Sequence, residues 1–202
     1  MAWNENEVAK LGEPLVMGLV LKTGHSAHLA VLDALNVVVI RKIDAEGPWR
    51  LSERAGAERP VAGTALGKVM VAFKEPDVAK RYVARMPFKA LTPNTITHPR
   101  DFEAELERVR AQGYAVDNEE YAIGMRCLAA PMFNFGGRVV AAMGISGPSW
   151  SLTLEQVEGL QPAVREFGHR LSRILGHTPE VARRPHAERG TPSRPRAAKK
   201  AR

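Results

Sequence analysis

A chain of 202 residues, 45% of them apolar, can bury one substantial core with tails but hardly two full domains. It contains no apolar run of about eighteen residues, and its polar, acidic start, MAWNENEVAKLGE, supports neither a membrane span nor a signal peptide, so a cytoplasmic protein without membrane contact is expected. A single cysteine rules out an internal disulfide and a cysteine-based zinc cluster, and the net charge of +7 lies almost wholly after residue 176, where eight Arg or Lys face two Glu.

In chain order, Asn4 with Glu7 three positions on reads as a capping box, and Val8, Leu11, Leu15 and Leu19 recur at helical spacing. This predicts a helix to about Lys22, kinked or restarted at Pro14 and ended by Thr23-Gly24. Alternation over 28–33 and β-branched residues over 37–43, separated by Asp33-Ala34-Leu35-Asn36, predict a hairpin, and 49–53 adds a short strand. The small residues of Val61-Ala62-Gly63-Thr64-Ala65-Leu66-Gly67-Lys68 let a helix begin with its first amides facing open space, an arrangement suited to an anion. It is not a phosphate loop: Gly63 and Gly67 are separated by three residues rather than four, and Val69 follows the lysine, which disfavours a nucleotide.

Helices follow over 76–85 and from Thr97-His98-Pro99 to Gly113. Two apolar runs, 127–133 and 139–145, flank Asn134-Phe135-Gly136-Gly137, a strong hairpin signal because glycine accepts positive φ without steric cost. A last helix spans 154–175, interrupted by Pro162. After Gly176, four prolines, few large apolar residues and dense positive charge cannot offset the entropy of ordering, so 177–202 is expected to be a disordered basic tail. It offers weak, salt-sensitive contact with DNA phosphates at most, having no base-reading scaffold.

The acidic run Asp117-Asn118-Glu119-Glu120 falls at the end of the second hairpin's sheet, so Asp117, Cys127 and Ser146 can converge on one cavity. Residue types alone leave a plainer reading open: a core cysteine, a solvated acidic loop, and a serine that begins a Ser-Gly-Pro turn. A nucleophilic Cys127 would need an electropositive setting and a histidine, yet His25, His28 and His98 sit in separate segments, each read as surface or satisfied, and no metal or other cofactor site is indicated.

Three blocks in one order, residues 59–73 (RPVAGTALGKVMVAF), 91–121 (LTPNTITHPRDFEAELERVRAQGYAVDNEEY) and 119–148 (EEYAIGMRCLAAPMFNFGGRVVAAMGISGP), resemble the effector-binding domain of IclR-type bacterial transcriptional regulators. The resemblance covers roughly residues 11–176. It implies an α+β, GAF/PAS-like ligand-sensing domain, a single antiparallel sheet flanked by helices, divided as a linker or dimerisation helix (1–24), an effector-binding domain (25–176) and the tail (177–202). The resemblance further implies a small organic acid effector, with the amides of Ala65 and Leu66 holding its carboxylate and Asp117, Cys127 and Ser146 lining the pocket. Trp49, Leu51 and Met125 are weaker candidates for an apolar wall. The family often carries a second serine two positions before Ser146; here Gly144 takes that place, which removes a polar partner and is expected to add room. Homodimers or tetramers are implied, as is DNA reading by an N-terminal winged helix-turn-helix absent from these residues. The competing readings are a stand-alone dimerisation module and a small-acid enzyme.

Overall fold

The computed structural model describes residues 4–47 and 55–178. Helix α1 (Glu5–Thr23) starts as its sequence requires: the Glu7 amide donates to Asn4 Oδ1 at 3.0 Å and the Asn4 amide to Glu7 Oε2 at 2.9 Å. Gly24 ends it in the left-handed region (φ 70), where its amide reaches the Val20 carbonyl. Pro14 does not interrupt α1, nor Pro162 the last helix, α5 (Leu154–Ile174). Both prolines are exposed, so the carbonyls they leave without an N–H donor face water.

Between these helices run β1 (Ser26–Asp33), β2 (Asn36–Ile43), β3 (Glu58–Pro60), α2 (Ala65–Ala72), α3 (Pro76–Arg85), α4 (Pro99–Gln112), β4 (Ala115–Asn118), β5 (Met125–Phe133) and β6 (Val139–Pro148). The strands form one curled antiparallel sheet in the order β3-β2-β1-β6-β5-β4. Its two faces carry separate cores. Leu29, Val31, Leu128, Met143 and Ile145 pack with Leu19 of α1 and Leu171 of α5, while Ala30, Val37, Val39, Cys127 and Ala129 pack with α2, α3 and α4. Burying one side chain such as Leu171 or Phe102 contributes roughly 1.5–3 kcal/mol.

The expected α+β architecture with an antiparallel sheet flanked by helices is the one observed, and both hairpins close as predicted: Gly137 sits at φ 69 in the second, while Ala34 accepts φ 48 in the first. The strand β3 was not foreseen, because three residues ending in proline carry no alternation. The expected strand at 49–53, with Trp49 and Leu51, lies outside the described residues, as does the tail from 179 on. His177, however, donates its amide to the Ser172 carbonyl and lays its ring 5.3 Å from that of Phe133, so packing continues past Gly176.

Candidate functional site

A row of residues crosses the sheet in register. Ser26 faces Ser146, Ser146 faces Cys127, and Cys127 faces Asp117, so one line of side chains spans β1, β6, β5 and β4. All four are buried. Ser146 belongs to β6 and begins no turn. Side chains two apart on a strand share a face, and Cys127 packs in one core with Ala65 and Leu66, so the row looks toward α2. The five residues expected at the site therefore lie on the two sides of one layer contact, Ala65 and Leu66 on α2 and the other three on the sheet.

The first turn of α2 is held from below. The Gly67 amide donates to Thr64 Oγ1 at 3.1 Å, and a Cβ on Gly67 would stand 2.5 Å from the Val61 carbonyl oxygen, so only glycine permits this close turn. The Ala65 and Leu66 amides lie in that turn, where no intrahelical carbonyl reaches them, and both residues are buried. At the far edge, Asp117 Oδ1 accepts the amides of Glu120 (2.7 Å) and Tyr121 (3.2 Å), but its buried Oδ2 has no hydrogen bond. Burial, with the nearby Glu120 charge, raises the Asp117 carboxyl to about 6, although the two amides and Lys68 pull the other way.

Four contributors were not foreseen as site residues. Lys68 is 1% exposed and donates to Glu120 Oε1 (2.5 Å), Glu105 Oε1 (3.2 Å) and the Val116 carbonyl (2.9 Å), tying α2 to α4 and β4. Glu120 keeps Oε2 buried without a hydrogen bond. Buried Arg59, on the opposite sheet edge, stacks its guanidinium 5.2 Å from the Tyr121 ring, so the curled sheet is clasped edge to edge. His28, read from sequence as a surface or satisfied histidine, is 2% exposed with Nε2 2.6 Å from Ser146 Oγ. Its apolar neighbours in sequence hid it; the alternation that buries Ala30 buries His28 on the same face.

This arrangement suits binding rather than nucleophilic chemistry. Burial, then the Arg59 and Lys42 charges, lower His28 to about 3, so it is a neutral and very weak base. Burial and the charge of Asp117 push the Cys127 thiol well above its ordinary range. Cys127 should react with a thiol reagent far more slowly in the folded protein than in urea, and Cys127→Ser should keep acid binding within about threefold; rapid labelling of the native protein would contradict the first expectation. His98 serves α4, accepting the Arg100 amide at Nδ1. Among the described residues no group of three His, Cys, Asp or Glu is placed to hold a metal ion.

The room expected at Gly144 is not there: a Cβ would meet the Leu128 carbonyl oxygen at 2.5 Å and Ala129 Cβ at 3.0 Å, so β5 already occupies that space. Open grooves of 330 and 440 Å³ lie elsewhere, beside α3 and the two hairpin turns, whereas a 140 Å³ recess bordered by Ser26, Trp150 and Ser146 reaches the end of the buried row. Met125 is buried in the core around Cys127.

The family profile described as "Bacterial transcriptional regulator IclR C-terminal" matches residues 2–173. The chain is 34% identical to the HTH-type transcriptional regulator KdgR of Escherichia coli K12 over 155 residues, 77% of this chain and 59% of that relative's length. Among solved structures it is similar to the Thermotoga maritima IclR protein (TM-score 0.81, 35% identity, 84% of this chain and 69% of that one). The C-terminal domain of E. coli KdgR gives a TM-score of 0.76 at 30% identity, covering 84% of this chain and 99% of that domain. The relatives are transcriptional regulators rather than enzymes, and these solved domains share the GAF/PAS-like sheet described above. Sequence profile, relatives and fold agree that the chain belongs to the IclR family of bacterial transcriptional regulators, to which it corresponds through the C-terminal domain.

Proposed function

We propose that this domain senses a small organic acid and passes its occupancy on through oligomer state. The acid's carboxylate sits on the amides of Ala65 and Leu66, where a helix N-terminus favours negative charge. Asp117 and Ser146 read a polar group, and Cys127 forms wall. The observation that carries this reading is Asp117 Oδ2, a buried acceptor with no hydrogen bond in the row beneath α2. Leaving such an atom without a donor costs about 1–3 kcal/mol, which a ligand hydroxyl would recover. A second carboxylate there would be repelled.

Self-association as a homodimer or tetramer is supported by α1, which exposes Met17 and Leu21 on the side away from its buried Leu15, Val16 and Leu19. DNA reading is assigned to a helix-turn-helix of the kind named in the relatives' HTH-type description, with at most salt-sensitive help from the basic residues after 178.

Titration calorimetry at pH 7 with two- to six-carbon carboxylic acids and their hydroxylated counterparts tests the reading, together with light scattering before and after. Saturable binding without turnover, by a species heavier than the 22.1 kDa chain whose mass changes on binding, is the expected outcome. Product formation would return the enzyme reading, and silence across the whole series would remove the sensor.

A further inference from the structure

The row of polar side chains, which reaches Ser26 on β1, has a neighbour on the same face: His28, two residues on and opposite Gly144, brings Nε2 to Ser146 Oγ. Its Nδ1 is, like Asp117 Oδ2, a buried atom without a hydrogen bond, and it lies on the strand at the other end of the row. Helix α2 packs against β5 and β6, between these two ends. The approach to the α2 N-terminus lies beside the turn after β4, where Gly63 stands against Glu120 and Tyr121, so an anion there has the Asp117 end at hand and the His28 end across the sheet.

We propose that His28 is a specificity-determining residue of the effector site, and that the effector carries a hydrogen-bonding group at the β1 end in addition to the group met by Asp117. This rests on the organic-acid reading above and narrows its chemical class. The span decides the class. Four neighbouring strands, at about 4.8 Å each, put β1 roughly 14 Å from β4 along a flat sheet. The curl and the reach of the imidazole over Ser146 shorten this, but a two- or three-carbon acid still meets only one reader. An acid of about five carbons or more, with polar groups beyond its carboxylate, meets both through hydrogen bonds of about 2.8 Å.

The neutral ring suits such reading. With Nε2–H donating to Ser146 Oγ, Nδ1 accepts from a hydroxyl; with the Ser146 hydroxyl donating to Nε2, Nδ1–H donates to a carbonyl or hydroxyl oxygen. Either way a methylene placed there leaves a buried polar atom unmatched, which is how a site discriminates against an analogue that lacks the group.

The test is calorimetry at pH 7 with four probes (glycolate, hexanoate, 6-hydroxyhexanoate and gluconate) on the wild type, His28→Phe and His28→Gln. Gluconate should bind at least about tenfold tighter than glycolate or hexanoate, and 6-hydroxyhexanoate tighter than hexanoate. His28→Phe should weaken gluconate by about tenfold or more while moving hexanoate less than about threefold, and His28→Gln should recover part of the loss. In ¹⁵N spectra of the wild type, gluconate should shift the Nδ1 resonance of His28 more than Nε2. That signal decides the matter if His28→Phe does not fold. Equal loss for every acid would make His28 structural only, and glycolate binding as tightly as gluconate would also overturn the proposal while leaving an organic-acid sensor in place. Silence of all four probes overturns it as well, and the effector reading falls with it only if the wider acid series is silent too.

Discussion

Replacing Lys68 by methionine should cost about 3–5 kcal/mol of folding stability, the range for breaking a buried ion pair from one side. The ammonium is 1% exposed and serves Glu120, Glu105 and the Val116 carbonyl at once. Methionine fills the volume but leaves the Glu120 carboxylate, already short of a donor at Oε2, with its charge uncompensated in a buried setting. Adding Glu120→Gln to Lys68→Met removes that stranded charge, so the double variant should recover a measurable part of the loss. Urea unfolding of wild type, both single variants and the double variant at pH 7 measures the coupling. A loss under about 1 kcal/mol for Lys68→Met would mean that the cluster is solvated and holds nothing together.

This cluster also marks where sequence reading stops. Local signals gave the helices well, since a capping box at Asn4–Glu7, a proline at the start of α3 or a glycine after α4 acts within a few residues. Both hairpins were legible for the same reason. Lys68 was not legible: beside Gly67 in the sequence it only fails to complete a phosphate loop, and its partners Glu105 and Glu120 are distant in the chain. Cys127 and Ser146 stand side by side through the register of the β5–β6 hairpin, which its turn signal foretells, whereas Asp117 joins them through the β4–β5 pairing, for which only an acidic run at the sheet's end is legible. His28 and Arg59 required the full strand order and the curl that carries β3 round to Tyr121, and no pattern within either strand encodes that approach. The expectation of room at Gly144 failed on the same ground: a missing side chain makes space only where the neighbouring backbone stays away.

The ligand-free domain should gain about 1–3 kcal/mol at pH 7 on Asp117→Asn, although the same change should weaken the binding of a hydroxylated acid by about tenfold. Asparagine keeps Oδ1 in place to accept the Glu120 and Tyr121 amides, so the turn after β4 survives. What disappears is the buried charge. Burial lifts the carboxyl from 3.8 to about 6, so the folded state holds its proton more tightly than the unfolded chain does. The stability contributed by that protonation is fully present below 3.8, is lost as pH rises through about 6, and is absent at pH 7, a difference of roughly 3 kcal/mol for two pKa units. Wild type and variant should consequently converge toward pH 4 and separate toward pH 7, and comparing them at each pH cancels the titration of the other carboxylates. Binding should run the opposite way. At pH 7 the Asp117 carboxylate is an acceptor waiting for a donor, whereas the asparagine Nδ2 that takes the place of Oδ2 only donates, so a ligand hydroxyl loses the acceptor it was selected by. A variant that is both more stable and less selective places Asp117 in the site at the expense of the fold; unchanged acid preference in Asp117→Asn would leave the residue a strained but purely structural carboxylate.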